Sequence, residues 1–150
     1  MSQFNLTYKD GIPTRESCKS TTFYLFYNTP EVVNGFERLY FNIDGYQDKF
    51  MAFWTKVIEK FQHNPYVVGY DVLNEPALAN QFKDPFLILD QKKFDREVLS
   101  KLYKRFHDEI NTSTQAMFFE PPYFPDTMNV EGGKVFNIGF EEAPGKNLDL

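Results

Sequence analysis

Hydrophobic side chains recur along two segments of the chain with the spacing of an α-helix. In the first segment they come at every third or fourth position and form one continuous apolar face: Phe50, Phe53, Trp54, Val57, Ile58 and Phe61. In the second segment the same spacing is kept by Phe94, Val98, Leu102, Phe106 and Ile110. Both patterns predict amphipathic helices that pack one face on a core.

A third helix is predicted from Pro30 to about Tyr40. Thr29 is a good N-cap residue, and a proline fits the first turn of a helix because its missing N–H has no partner there in any case. The pair Asp44-Gly45 is a turn signal that separates this helix from the next one.

Two short apolar runs follow the amphipathic helices, and each ends in a carboxylate and a proline. Tyr66–Leu73 leads into Asn74-Glu75-Pro76, and the run 116–119 leads into Glu120-Pro121. Such runs predict parallel strands that are covered on both faces. With the helix between them they form a βαβ unit, in which a right-handed crossover is expected. The predicted fold class is therefore α/β.

The connecting segments carry less information. Residues 77–93 are predicted as a loop of roughly seventeen residues, and a loop of that length inside a compact domain is usually functional. Residues 1–22 are predicted to be irregular, with a turn at Asp10-Gly11-Ile12-Pro13.

Composition narrows the classes of protein that fit. The 150 residues are enough for one domain with a sizeable core, and an aromatic content of 18% argues against disorder. The net charge of −5, without a basic cluster, argues against nucleic acid as a partner. The single cysteine, Cys18, excludes an internal disulfide and a multi-cysteine metal site. No apolar run approaches the ~20 residues of a membrane span, and the first five residues lack the regions of a signal peptide.

Glu75 is the candidate catalytic residue of the chain. A carboxylic acid at the end of a buried strand can act as a general acid or base, provided that burial or a second carboxylate keeps it neutral near the working pH. Asn74 is placed to donate a hydrogen bond to a substrate hydroxyl. The alternative for Glu75 is a solvated carboxylate at the end of a strand.

Two further carboxylates lie near Glu75 in the predicted unit. Glu120 occupies the same position on the next strand, where it is either a substrate ligand or, as the pattern favours, a structural carboxylate. Asp71 shares a strand face with Glu75. If that face is buried, Asp71 needs a partner, and the sequence offers no evident basic residue nearby.

Other candidates have simpler explanations. His63 and His107 lack the spacing of metal ligands and are expected on solvent-facing helix surfaces. A set of aromatic residues toward the C-terminus forms either a platform for sugar or lipid, or ordinary packing: Tyr123, Phe124, Phe136 and Phe140.

With these residues laid out, the chain resembles glycoside hydrolase family 5 of clan A, and in particular its endoglycoceramidase-related branch. The resemblance covers about residues 10–145. It is carried by DGIP at 10–13, FERLYFNIDGYQDKFMAFWTKVIEKF at 36–61, NPYVVGYDVLNEP at 64–76, KFDREVLSKLYKRFHDEI at 93–110, AMFFEPP at 116–122 and GFEEAPG at 139–145.

The resemblance implies a retaining hydrolase of β-glycosides on a (β/α)₈ TIM barrel, with glycolipids as substrates and no metal or organic cofactor. Glu75 matches the general acid/base and Asn74 the substrate-hydroxyl ligand beside it. The implied partners are a carbohydrate or glycolipid and, through the glycolipid, lipids of a membrane surface. Secretion or an acidic vesicle is the implied location.

Three departures limit the match. No position corresponds to the family's nucleophilic glutamate on the seventh strand, and the segments expected before DGIP and after GFEEAPG are absent. Ala77 stands where the branch usually carries an aromatic residue. Residues 1–150 are therefore expected to be an incomplete catalytic domain, a partial barrel from about the end of strand 3 to the approach to strand 6.

Two alternatives stay open at this point. One is a non-catalytic glycan- or glycolipid-binding fragment, or a relic of an enzyme. The other is a cellulase-like endo-β-glucanase, which would need an open cleft for a polysaccharide in place of a narrow apolar channel.

Overall fold

The fold is known from a computed structural model, which describes residues 6–19, 22, 25, 27–85, 87, 91–110, 115–122, 129–130, 133–134, 140 and 144. The first elements that the structure describes are β1 (Tyr8–Lys9) and β2 (Ile12–Pro13), which form an antiparallel hairpin. Its turn residues Asp10 and Gly11 both have positive φ, of 53° and 78°, as a tight hairpin turn requires. The predicted turn is confirmed, but the segment around it is a hairpin rather than irregular. A short helix, α1 (Arg15–Lys19), follows.

Helix α2 (Pro30–Tyr40) has the predicted bounds. The Thr29 hydroxyl accepts a hydrogen bond from the backbone N–H of Val32 at 3.3 Å, which caps the helix as expected. After α2 the chain passes through Asp44 and Gly45, both with left-handed φ, into α3 (Tyr46–Phe61). The predicted break at these two residues is confirmed.

The apolar face predicted for α3 is only partly correct. Met51 and Ile58 are buried, and Trp54 packs beside them, whereas Phe53 is 60% and Phe61 41% exposed. Packing of α3 against both α2 and the last long helix adds Met51 to the face that meets the core and leaves Phe53 and Phe61 outside it. Arg105 holds this orientation, because its guanidinium donates to Gln47 and Asp48 at 2.6 and 2.7 Å.

The second amphipathic helix is confirmed, and it begins three residues earlier than predicted. Helix α4 (Gln91–Phe94) continues into a π-helical turn, Asp95–Leu99, and then into α5 (Ser100–Ile110). Its predicted apolar residues are buried or packed against the core, and Leu99 and Tyr103 join them with no exposed surface.

The core of the α/β unit is a parallel pair formed by β3 (Gly69–Asp71) and β4 (Ala116–Phe118). Tyr70 lies opposite Met117 on the face that packs against the helices, and Asp71 lies opposite Phe118 on the other face. Phe118 is 48% exposed. The prediction of a parallel pair is correct, and the prediction of burial on both faces is wrong for the described residues.

Strand β3 is also shorter than the strand predicted over Tyr66–Leu73. Tyr66 and Val68, which fall within the predicted strand, are 91% and 78% exposed and precede β3. The start of the pair is fixed by Gln115, whose side-chain amide donates to the Val67 carbonyl at 2.8 Å and accepts from the Tyr70 hydroxyl at 2.6 Å.

These elements confirm the α/β class. Two further strands, β5 (Asn129–Val130) and β6 (Gly133–Lys134), form a separate antiparallel pair. The strands that the structure describes pair only in twos and close no barrel. In the described part of the chain, no helix combines the length and the apolar character needed to cross a lipid bilayer.

Candidate active site

The candidate site lies where the chain leaves β3. Asn74 and Glu75 are both exposed, and Pro76, which follows them, is fully buried. Glu75 has φ of 43°, a left-handed conformation that costs energy for a residue with a Cβ and is uncommon outside glycine, asparagine and aspartate. The catalytic candidate therefore projects from a backbone turn held by its surroundings. Glu75 is exposed in the described structure, so the burial that was expected to keep its carboxyl neutral is not found.

Glu120 is the group that contacts this turn. Its side-chain oxygen Oε2 accepts a hydrogen bond from the backbone N–H of Glu75 at 2.6 Å. The two residues are 45 positions apart, and the parallel pairing of β3 with β4 brings them together. The prediction that both strand ends lie at one edge of the sheet is confirmed for these residues.

Asp71 completes a carboxyl pair with Glu120. Its side chain hydrogen-bonds to the side chain of Glu120 and accepts from the backbone N–H of Leu73. Partial desolvation, and then the negative charge of Glu120 together with their hydrogen bond, raise the pKa of Asp71. The partner that the sequence argument sought for Asp71 is thus another acid, Glu120.

Tyr103, on α5, binds the backbone of Glu120 through its hydroxyl. Its hydroxyl donates to the Glu120 carbonyl at 2.9 Å and accepts from the Glu120 N–H at 3.3 Å. The ring of Tyr103 is fully buried and packs edge-on against Phe119, with 5.0 Å between ring centroids. Burial, partly opposed by the backbone of Glu120, raises the pKa of Tyr103, so the hydroxyl keeps its proton.

The segment after Pro76 is structural in its first part, contrary to the expectation of one long functional loop. Residues 77–80 are buried, and the Tyr40 hydroxyl donates to the Ala77 carbonyl at 2.5 Å. The Asn80 amide donates to Asn34 at 2.7 Å and to Glu37 at 3.0 Å. Hydrogen bonds from Asn80 and Lys83, opposed by partial burial, lower the pKa of Glu37. Helix α2 therefore holds the chain immediately beyond the site.

The remaining candidates do not join this cluster. Phe140 packs edge-on against Tyr103 at 6.0 Å between centroids, which favours the packing alternative over a platform, and Tyr123 lies outside the described residues, as do Phe124 and Phe136. His63 is exposed, while His107 is only partly exposed and contacts Asp108 at 3.4 Å. Among the described side chains, no group of three or more His, Cys, Asp or Glu is arranged to hold a metal ion.

Sequence reasoning missed two residues that build the site. Tyr103 and Tyr40 both use a buried hydroxyl to bind the backbone of a strand end or of the segment after it. One signal was present, because Tyr103 lies four residues after Leu99 on the core side of its helix, and a buried tyrosine hydroxyl usually has a partner.

Comparison with known proteins places this arrangement in context. No protein-family model and no solved structure matches the chain. Two curated proteins do match it: an endoglycoceramidase of Hydra vulgaris, 32% identical over 95% of this chain and 26% of the relative, and an endoglycoceramidase of Cyanea nozakii, 27% identical over 95% of this chain and 27% of the relative. The matches make the chain a relative of glycosidases. Within that class its similarity is to endoglycoceramidases, and it spans about a quarter of the length of these two curated relatives.

Proposed function

We propose that this chain supplies the acid/base part of a retaining glycosidase that acts on glycolipids. The observation that carries the proposal is the meeting of Glu75 and Glu120, 45 residues apart, at one edge of the parallel pair, in a chain whose matched relatives are endoglycoceramidases. Catalytic groups of α/β barrels come from the carboxyl ends of their strands, which is where both residues lie.

In this proposal Glu75 gives its proton to the glycosidic oxygen as the bond from that oxygen to the anomeric carbon breaks. A second carboxylate, about 5–5.5 Å away, forms a bond to the same carbon and gives a covalent glycosyl intermediate. Glu75, now ionised, then takes a proton from the water that hydrolyses the intermediate. Asn74 donates to a hydroxyl of the sugar beside the reacting carbon, and the nucleophile comes from sequence outside the 150 residues.

The proposed architecture follows from the same reasoning. The two parallel strands with their helices constitute one repeat of a (β/α)₈ barrel, and residues 1–150 form part of a single catalytic domain of the glycoside hydrolase family 5 type. A full barrel of this kind takes about 250 residues, and the chain matches only 26–27% of the two relatives. Both facts support a domain that extends beyond this segment.

The test is Glu75→Gln in the longest polypeptide that the natural message encodes around this sequence. With a fluorescent glycosylceramide we expect kcat to fall by about 10²–10⁴-fold, the range that a general acid contributes. An aryl β-glucoside whose leaving group needs no proton should lose much less in the glycosylation step. His63→Gln, at an exposed site away from the strand ends, is the matched control and should leave kcat unchanged.

Three results would contradict the proposal. Equal activity of wild type and Glu75→Gln would remove Glu75 from catalysis. Binding of glycolipid without hydrolysis by the wild-type protein would favour a non-catalytic binding role. Hydrolysis of cello-oligosaccharides in preference to glycosylceramides would favour the cellulase-like alternative.

A further inference from the structure

The backbone of Glu75 is held by a side chain that the proposed chemistry does not use. The left-handed conformation of Glu75, with φ of 43°, is unfavourable for a residue with a Cβ. A backbone N–H that donates to a carboxylate makes one of the stronger hydrogen bonds in proteins, and the bond from Glu75 to Glu120 is short at 2.6 Å. This bond offsets the unfavourable conformation and fixes the peptide from which the Glu75 side chain projects.

Asp71 lies beside the carboxyl that accepts this bond and is hydrogen-bonded to it. Partial desolvation, and then the negative charge of Glu120, raise the pKa of Asp71. A proton on Asp71 therefore favours the contact between the two side chains, because two ionised carboxyl groups at this separation repel each other.

The backbone of Glu120 is held in place as well as its side chain. Tyr103 binds both the N–H and the carbonyl of Glu120, so the backbone of this residue has no freedom to rotate away. The titratable groups nearest the pair are Glu75 at the end of β3 and Tyr103 of α5. Tyr103 in turn lies within electrostatic range of Asp95.

We propose that Glu120 and Asp71 are positioning residues for Glu75: Glu120 accepts the peptide N–H of Glu75 and holds its turn, and Asp71 supports the side chain of Glu120 by direct contact. The activity part of this proposal rests on the proposed function, but the hydrogen-bond part does not. When both carboxyls are ionised, the repulsion between them acts against this contact and so against the support of the turn.

The test uses the amide resonance of residue 75 in ¹⁵N-labelled chain. Glu75→Gln serves as the background, so that its own carboxyl does not titrate. In this background the amide proton should lie downfield and should shift with pH as the pair titrates. Asp71→Asn should keep the downfield position, since the asparagine amide also donates to Glu120, and should move the pH dependence to lower pH, because no second carboxyl then opposes the ionisation of Glu120. Glu120→Ala should lose the downfield position altogether.

Glu120→Gln is the conservative variant, because its amide oxygen can still accept the N–H. In an active polypeptide with Glu75 intact, Glu120→Ala should lower kcat by on the order of 10²-fold with little change in KM, as expected when a reacting group is misplaced by about 1 Å. Glu120→Gln should recover most of that loss. If the wild-type polypeptide did not hydrolyse glycosylceramide, the proposed function would be overturned. The positioning proposal would still stand, because the amide resonance of residue 75 tests it independently.

The positioning proposal is overturned if Glu120→Ala leaves the residue-75 amide where it was while the circular dichroism spectrum is unchanged. It is also overturned if the amide of the Asp71→Asn variant keeps the pH dependence of the parent. Should Glu120→Ala fail to fold, Asp71→Asn still decides the question, because it preserves size and hydrogen bonding.

Discussion

Asp95 occupies an environment that opposes its charge. Its side chain is 1% exposed, and neither carboxylate oxygen has a hydrogen-bond partner among the residues that the structure describes. Desolvation by burial raises the pKa of Asp95 to about 7. Asp95 is the first residue of the π-helical turn Asp95–Leu99. Such turns are rare in proteins as a whole, and many of those known lie at functional sites.

The buried carboxyl predicts a specific dependence of stability on pH. Between its ordinary value of 3.8 and about 7, Asp95 binds a proton in the folded chain and has lost it in the unfolded chain, so the free energy of unfolding falls as pH rises. The loss is complete above about pH 7 and amounts to at most about 4 kcal/mol. Chemical denaturation of the 150-residue chain at a series of pH values measures it.

Asp95→Asn should remove this dependence. At pH 4 the variant and the wild type should differ little, and by pH 8 the variant should be the more stable of the two. Glu97→Gln, two residues along the same helix at an exposed position, is the control and should follow the wild type. A pH profile that is the same for wild type and Asp95→Asn would show that Asp95 finds a partner or water in solution.

At the scale of elements, the parallel pair depends on Gly69. A Cβ built at this position would lie 2.3 Å from the carbonyl oxygen of Ala116 and 2.8 Å from a ring carbon of Phe118. The first contact is with backbone, which cannot move without separating the two strands. The sheet edge that carries Glu75 and Glu120 therefore relies on the absence of a side chain at Gly69.

Gly69→Ala is expected to lower the free energy of unfolding by about 2 kcal/mol, within the usual cost of overpacking, and to weaken the hydrogen bond between Glu75 and Glu120. Gly35→Ala provides the matched control. Gly35 lies inside α2 with nothing within 4 Å of its Cβ position, so alanine should stabilise the helix by about 0.5–1 kcal/mol. Denaturation midpoints that move in the same direction for both variants would contradict the role assigned to Gly69.

The elements also show what the sequence can and cannot predict. Helix α2 and the helix through Ile110 were predictable because capping residues and apolar spacing act locally. The exposure of Phe53 was not, since the face of α3 that meets the core is set by contacts with other helices. Glu75 was predictable from its motif, whereas Tyr103 acts through a hydrogen bond to a residue 17 positions away, which no local pattern records.

At the scale of the whole molecule, large apolar side chains remain exposed around the open side of the sheet. Tyr66, Val68 and Phe118 are 91%, 78% and 48% exposed. Exposed apolar surface next to unpaired strand edges promotes association between chains. In the proposed barrel, further strands would cover this side.

The 150-residue chain on its own is therefore expected to self-associate as its concentration rises, which sedimentation velocity measures directly. Val68→Lys should reduce the association by placing a charge beside the open strand. Thr22→Lys adds the same charge at another exposed site and should have a smaller effect. A monodisperse monomer across the full concentration range would show that this surface needs no cover.

The bond between Glu75 and Glu120 also sets the order of events during synthesis. The turn at Glu75 has no support until the ribosome has added the 45 residues that separate it from Glu120, and β4 must then pair with β3. At about 5–20 residues per second, this interval lasts roughly two to nine seconds. In this interval α2 and α3 have time to pack against each other. Glu75, the candidate catalytic residue, does not reach its final backbone geometry until the interval ends.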